Sequence, residues 1–418
     1  MPATTHADSQ PRPHAVPFPR LVSLDVFRGI TIAAMLLVNK QGNSRDGYEA
    51  LQHVPWHGAT PTDWIFPFFL FIVGVALPFS VANRKRKGAS DGEILRHALV
   101  RGAILFVLGM FEKNFPFSGM DLETFRIPGV LQRIALCYVA ATWLLLKTNA
   151  RTQVIVAGAL LVGYWVLLTF VPVPGAGVVP LTLEYASVNW AAWLDQLTMG
   201  RHLGYGNRTW DANGLLSTVP SLVSTQFGIF TAWLLMAARP LRTALPKMAG
   251  IGLAVAVVGW LWGGVPPLHG LAIVGEPTLT APVFFPINKL MWTSTYVLWT
   301  SGLGMLALAA CLWLVDIPGA RQAGAGQHPG WARPFVWLGT NAIFVYMVST
   351  IVWKLAAMIR IHTGPDTTRP LPGWLYDNVF HAAVPDAALA SLLLSLTYAA
   401  LWMAVAGLMY RRGLFLKL

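Results

Sequence analysis

At 418 residues the chain is long enough for two or three soluble domains, but 55% hydrophobic residues, only 11% charged residues and a mean hydropathy of +0.55 exclude that reading, because a soluble surface needs roughly a quarter of its residues charged. The same balance excludes a small disulfide scaffold, a coiled coil or a disordered chain, and leaves an all-α, polytopic membrane helix bundle. The net charge of +12 is then a matter of basic loops on the cytoplasmic side rather than of nucleic acid, and no nucleic-acid partner is expected.

Residues 1–20 end in HAVPFPR and hold no apolar core of a signal peptide, so they read as a disordered cytoplasmic tail. Residues 21–418 read as a single transmembrane domain. A span needs about 20 mostly apolar residues, and about ten stretches qualify. They run Val22 to Lys40, Thr62 to Val81, His97 to Met110, Pro128 to Leu146, Gln153 to Val171, Leu215 to Ala237, Met248 to Val265, Trp292 to Val315, Phe335 to Ile359 and Ala387 to Met409. The basic loop NRKRKG and the terminal RRGLFLKL then fall on one side, with both termini cytoplasmic by the positive-inside rule. The long loops fall on the opposite, outer side. Cys137 and Cys311 sit within apolar runs and read as small buried hydrophobes.

In the first span, SLDVFRGITIAAMLLVN, Asp25, Arg28 and Asn39 share one helical face. Ionisable groups in a span are costly, so Asp25 and Arg28 are expected to form a structural ion pair near the cytoplasmic mouth, with Asn39 at the outer end. The following loop, LQHVPWHGATPTDWIFPFF, collects His53, Trp56, His57 and Asp63 between prolines that stiffen it. A histidine serves as general base or transient acyl acceptor, and a carboxylate sets its tautomer. A structural histidine at the membrane interface is the plain alternative. The spacing of His53, His57 and Asp63 matches no standard metal site, so no metal is expected.

In FRIPGVLQRIALCYV, Arg126 and Arg133 stand seven residues apart on one face. Two inward guanidiniums point to an anion, or else to pairing with Glu112, Asp121 or Glu123. The segment TWDANGLLSTVPS brings Asp211 and Asn213 to the start of the sixth span, with Asn213 read as a helix cap. In FPINKLMWTSTYVLWTSG, Lys289, Thr293, Tyr296 and Thr300 form a polar stripe expected to line a cavity, preceded by Asn288. Asn341, in LGTNAIFVYM, is a further polar residue within the ninth span.

Together, RLVSLDVFRGITIAAMLLVN, QHVPWHGATPTDWIFPFFLFIVG, FRIPGVLQRIALCY, GLLSTVPS, FPINKLMWTSTYV and YRRGLFLKL resemble the membrane acetyltransferase family typified by heparan-α-glucosaminide N-acetyltransferase. The resemblance implies transfer of acetyl from cytosolic acetyl-CoA to the amine of a glucosaminide across the membrane. It implies His53 as the catalytic histidine, with Asp63 and Asn39 beside it. Beside it, Arg126, Arg133, Lys289, Asn288 and Tyr296 are the expected donor-binding residues, with Arg126 and Arg133 left open to an acidic or phosphorylated saccharide instead, and Trp56, His57, Asp211 and Asn341 the expected acceptor-binding ones. The resemblance further implies a bacterial inner-membrane protein among membrane lipid, with ten spans where the lysosomal enzyme has eleven; whether it forms a homodimer is left open by the sequence. An amino-sugar or sugar transporter without acyl transfer is the alternative class.

Overall fold

The protein is described by a computed structural model covering residues 21–43, 47–118, 121–269, 272–317, 329–364 and 367–416. The tail expected at 1–20 lies outside the described residues. The long helices are α1 (Val22–Asn39), α2 (Pro61–Arg86), α3 (Asp91–Asn114), α4 (Val130–Lys147), α5 (Ala150–Phe170), α7 (Leu215–Ala237), α8 (Ala244–Trp262) and α9 (Ser294–Cys311). A short α6 (Trp190–Met199) lies in the loop before α7. The chain closes with α10 (Arg333–Thr340), α11 (Ala342–Met358) and α12 (Ala387–Arg411).

Local chemistry sets the boundaries. Thr60 and Asp63 form a capping box at the start of α2, with Pro61 in the first turn, where its missing N–H costs nothing. Ser90 and Glu93 cap α3 in the same way: the Ser90 hydroxyl accepts from the Glu93 N–H at 3.2 Å and the Glu93 carboxylate accepts from the Ser90 N–H at 2.7 Å. Asn149 caps α5 and Asp386 caps α12.

Among the described residues, nine helices are long and apolar enough to cross a membrane, and the bent pair Gly330–Thr340 and Ala342–Met358 makes a tenth if counted as one span. The expected ninth span is thus broken by 74°. The break falls where Asn341 turns the chain between two helices that each pack separately. Spans alternate in direction, so the basic ends of α2 (Arg84, Lys85, Arg86), α4 (Lys147) and α12 (Arg411) gather at one end of the bundle. The opposite end carries the longer loops and a three-stranded sheet in the order β1 (Gly58–Ala59), β3 (Ala272–Val274), β2 (Leu268–His269). Gly58 pairs with Val274 and Ala59 with Ile273.

Between spans, small residues replace the hydrophobic driving force that lipid cannot supply. A Cβ at Gly74 would stand 1.9 Å from the Thr225 carbonyl oxygen, and one at Gly228 would stand 2.1 Å from that of Phe71, so α2 and α7 cross backbone to backbone only because both positions are glycine. Phe71, Ile72, Val75, Ala232 and Met305 fill the layer around this crossing, each 2% exposed or less.

Candidate active site

The first turn of α2 places one carboxylate. Its oxygen Oδ2 accepts from the N–H of Thr60 at 3.0 Å, the Thr60 hydroxyl at 3.2 Å and the N–H of Val54 at 3.3 Å, and Asp63 is fully buried. These donors hold the side chain in one orientation and bend the 52–60 loop back over the helix start. The second oxygen, Oδ1, is left for two other partners. His53 Nδ1 lies 2.6 Å from it and Lys289 Nζ 3.0 Å.

Lys289 Nζ is also 2.8 Å from His53 Nδ1. An ammonium only donates and a carboxylate only accepts, so the consistent arrangement has Lys289 and the His53 Nδ1–H both donating to Oδ1. That fixes the neutral imidazole with its lone pair on Nε2. The His53 side chain is 52% exposed, so Nε2, although 3.5 Å from Lys289 Nζ, borders the open side of the ring while Asp63 behind it is dry. Burial holds Lys289 below the ordinary lysine range against the opposing pull of Asp63.

Lys289 reaches the site from a turn, not from the helical stripe expected of it. Asn288 Oδ1 accepts from the Met291 N–H at 2.9 Å, the Lys289 carbonyl accepts from the Trp292 N–H at 3.1 Å, and Trp292 adopts φ 51°. That turn delays the helix to Ser294. The Gly58 N–H donates to the Ile287 carbonyl at 2.8 Å, which lays the 285–288 segment alongside the His53 loop. Tyr296, expected at the donor, is fully buried and donates from its hydroxyl to the backbone carbonyl of Asp63 at 2.5 Å. It secures the start of α2. Asn288 is likewise fully buried, its Oδ1 engaged by the Met291 N–H and its Nδ2 without a partner among the described residues.

The other expected site residues are placed differently. Arg126 is engaged by Asp211 in a bidentate pair, Nε to Oδ2 at 2.8 Å and Nη2 to Oδ1 at 2.9 Å, rather than open to an anion, which also removes Asp211 from acceptor binding. The carboxylate partner of Arg126 thus lies 85 residues away, not in Glu112, Asp121 or Glu123. Arg133, 1% exposed, donates through Nη2 to the carbonyls of Ala212 and Gly214 and to the Ser217 hydroxyl, and lies over the Trp292 ring at 4.8 Å. It fastens the segment entering α7. Asn213 is not the cap of α7. Asp195 of α6 takes that place, accepting from the Leu215 N–H at 2.8 Å.

Trp56 and His57 are 5% and 8% exposed. The Trp56 indole donates to the Leu181 carbonyl at 2.9 Å, and burial lowers the His57 pKa against Glu276, whose carboxylate is 3.8 Å away. Asn39 is exposed at the end of α1 that faces the His53 region and makes no hydrogen bond to His53, Asp63 or Lys289. Asn341 is at the far end of the bundle. Its amide donates to the Leu414 carbonyl and accepts from the Leu416 N–H, so it pins the C-terminal segment and does not line the His53 site. Asp25 and Arg28 pair at 3.3 Å, as expected, with Arg28 also donating to the Gly339 carbonyl at 3.2 Å.

Asp25 and Arg28 also border a feature that sequence reading missed. A cavity of about 590 Å³ lies between α1, α2, α3, α4 and α11, lined at the basic end by Arg28 and Arg101 and deeper by Tyr138, Tyr346 and Val130. Arg101 has no carboxylate partner among the described residues, and its guanidinium lies 5.0 Å from the Tyr138 ring. The available signal was a lone arginine within an apolar stretch, ten residues into α3.

Fold and site together define a polytopic helical membrane protein with an imidazole, carboxylate and ammonium cluster at one end and a charged-mouthed cavity opening at the other. Residues 20–259 match the family described as heparan-alpha-glucosaminide N-acetyltransferase, catalytic, and the chain belongs to that family. It is similar to the heparan-alpha-glucosaminide N-acetyltransferase of Homo sapiens, 26% identical over 444 aligned positions covering 96% of this chain and 60% of the human protein. The Mus musculus protein of the same name is 24% identical over 461 positions, covering 99% of this chain and 62% of that one. The chain therefore spans about three-fifths of the length of these relatives.

Proposed function

We propose that this chain is a bacterial inner-membrane acetyltransferase that moves acetyl from acetyl-CoA, entering at the basic cytoplasmic end, to the amine of a glucosaminide at the opposite end. The observation that carries the reading is the pairing of His53 Nδ1 with a buried carboxylate at 2.6 Å while the rest of the ring stays open. That is the arrangement a general base or an acyl acceptor needs: a fixed tautomer, a free Nε2 lone pair and a charge behind it to stabilise the imidazolium. The donor enters the cavity behind Arg28 and Arg101, whose guanidiniums suit phosphate oxygens. Lys289, Asn288, Arg126, Arg133 and Tyr296 hold the site's walls in place of meeting the donor.

In direct transfer the amine nitrogen attacks the thioester carbonyl, the C–N bond forms as the C–S bond breaks, and the amine proton passes to His53 Nε2. The departing thiolate recovers that proton. In the two-step route Nε2 attacks the thioester carbonyl, the C–S bond breaks and the CoA thiolate leaves; the amine then attacks the acetyl-imidazole, the acyl–Nε2 bond breaks, and the amine proton passes by way of Nε2 to the thiolate. Asn39, exposed at the same end of the bundle, is the proposed amide donor to the developing oxyanion, a role worth up to about 3–4 kcal/mol. The deciding experiment is His53→Ala in purified protein supplied with labelled acetyl-CoA and a glucosaminide. Loss of acetyl incorporation with an unchanged elution profile supports the reading. Retained turnover sinks it, and glucosaminide flux into proteoliposomes without acetyl-CoA indicates a transporter instead.

A further inference from the structure

A second group of charges lies at the His53 end of the bundle, where α1, α3 and α11 terminate. Glu112, 4% exposed, is the one carboxylate there among the described residues. Lys113 Nζ stands 3.6 Å from its Oε2 and Lys354 Nζ 3.7 Å from its Oε1. Lys354 also donates to the carbonyl oxygens of Glu112 and Phe115, the latter at 3.2 Å. Lys40, directly after α1, faces the same group and is 6% exposed. Its ammonium has no hydrogen-bond or ion-pair partner among the described residues and lies over the Trp353 ring, 5.6 Å from the centroid.

Three ammonium groups therefore share one carboxylate, Lys113 and Lys354 with side chains 24% and 28% exposed, and Lys40 is nine-tenths buried with no protein acceptor among the described residues for its three N–H groups. Leaving such a cation uncompensated is costly. Burial, with Lys354 and Lys113 adding to it and Glu112 opposing, lowers the Lys40 pKa to about 8, the response of a lysine short of an anion. The neighbouring helix surfaces are apolar and exposed, at Val107, Phe111, Leu355 and Met358, so the pocket adjoins a lipid-facing surface as well as the loop side.

We propose that Lys40, Lys113 and Lys354 form an oxyanion site for a phosphate or sulfate group, separate from the His53 cluster. A tetrahedral oxyanion offers several acceptor oxygens at once, which a single carboxylate cannot, and lysine ammoniums bind it as point charges. The group comes either from a phospholipid headgroup or from a soluble phosphorylated or sulfated ligand. The site stands on these lysines alone and is independent of the acetyl-transfer reading.

The test uses the full chain in zwitterionic detergent. Its unfolding midpoint is followed while inorganic phosphate or sulfate replaces chloride at constant ionic strength, and bound lipid is read by native mass spectrometry after release from nanodiscs of phosphatidylglycerol or phosphatidylcholine. Anion-dependent stabilisation identifies a soluble source. Selective retention of phosphatidylglycerol identifies a lipid one. In either case Lys40→Met weakens the apparent affinity at least about tenfold. Should Lys40→Met fail to fold, Lys113→Gln, at the less buried rim, carries the same comparison. The proposal is overturned if the wild-type chain distinguishes neither phosphate and sulfate from chloride nor phosphatidylglycerol from phosphatidylcholine, or if a folded variant binds as the wild type does.

Discussion

Replacing Asp63 by asparagine tests the central cluster because it removes a charge and keeps the shape. The Thr60 and Val54 N–H groups both need an acceptor, so the Asn amide oxygen turns toward them and its NH2 faces Lys289 and His53. Two consequences follow. The Lys289 ammonium, whose side chain is 18% exposed, loses its only carboxylate among the described residues; an uncompensated buried charge costs about 3–5 kcal/mol, discounted here to about 2–4 for the residual exposure. The imidazole, now opposite a donor, must accept at Nδ1 and carry its proton on Nε2, which disables the base by a factor of up to about 10⁴, the size of the same tautomer error in the serine-protease triad. Lys289→Met in the Asp63→Asn background removes the stranded charge. The double variant is expected to be more stable than Asp63→Asn alone, with a coupling of about 1–3 kcal/mol, yet no more active. Equilibrium unfolding in mixed micelles, followed by tryptophan fluorescence, measures the stability half, and acetyl incorporation measures the other. Additive stability effects, or activity that returns with stability, would refute the shared-carboxylate arrangement.

Arg101→Gln is expected to raise KM for acetyl-CoA several-fold with kcat nearly unchanged, since the guanidinium lies at the cavity mouth, far from His53; steady-state kinetics over donor concentration check this, and an unchanged KM removes Arg101 from the donor path. Asp195 gives a pH prediction. Burial pushes its carboxyl up to about 7, the Leu215 N–H opposing, so the folded chain binds a proton there that the unfolded chain has already lost above about pH 4. The protonated carboxyl's contribution is therefore full in acid and is lost as pH rises through about 7. Asp195→Asn, which keeps an acceptor for Leu215, is expected to raise the unfolding midpoint more at pH 8 than at pH 5; an equal shift at both values defeats the reading.

The parts of this molecule that were legible in the sequence are those carried by near neighbours. Apolar run length gave the spans, and T-P-T-D before an apolar stretch contained both the cap of α2 and the carboxylate that holds His53, ten residues away. The Asp25 and Arg28 pair, three apart, was readable for the same reason. What failed to be legible depends on contacts between distant segments. Period counting put Lys289 on a helical stripe because it cannot register an Asn288 side chain closing a turn and a Trp292 backbone at positive φ. It left Arg126 without Asp211 and the start of α7 without Asp195, since those partners come from a loop and a short helix that hydropathy ignores.

The two arginines expected at the donor show where such reading goes astray. A buried guanidinium signals only that an anion or a set of carbonyls must be near, and within a bundle the protein itself supplies them more often than a ligand does. Arg126 is met by Asp211 in this way, whereas Arg133 finds acceptors at Nη2 alone, in the carbonyls of Ala212 and Gly214, and its Nε and Nη1 are buried without a partner among the described residues. The informative cations are those left over once the protein's own acceptors are counted. By that criterion the charges to test are Arg101 at the cavity and Lys40 beside Glu112, neither of which stood out by spacing, together with the unpartnered side of Arg133. His53 belongs with them for a related reason: its Nδ1 is spent on Asp63, and only its Nε2 remains to do chemistry.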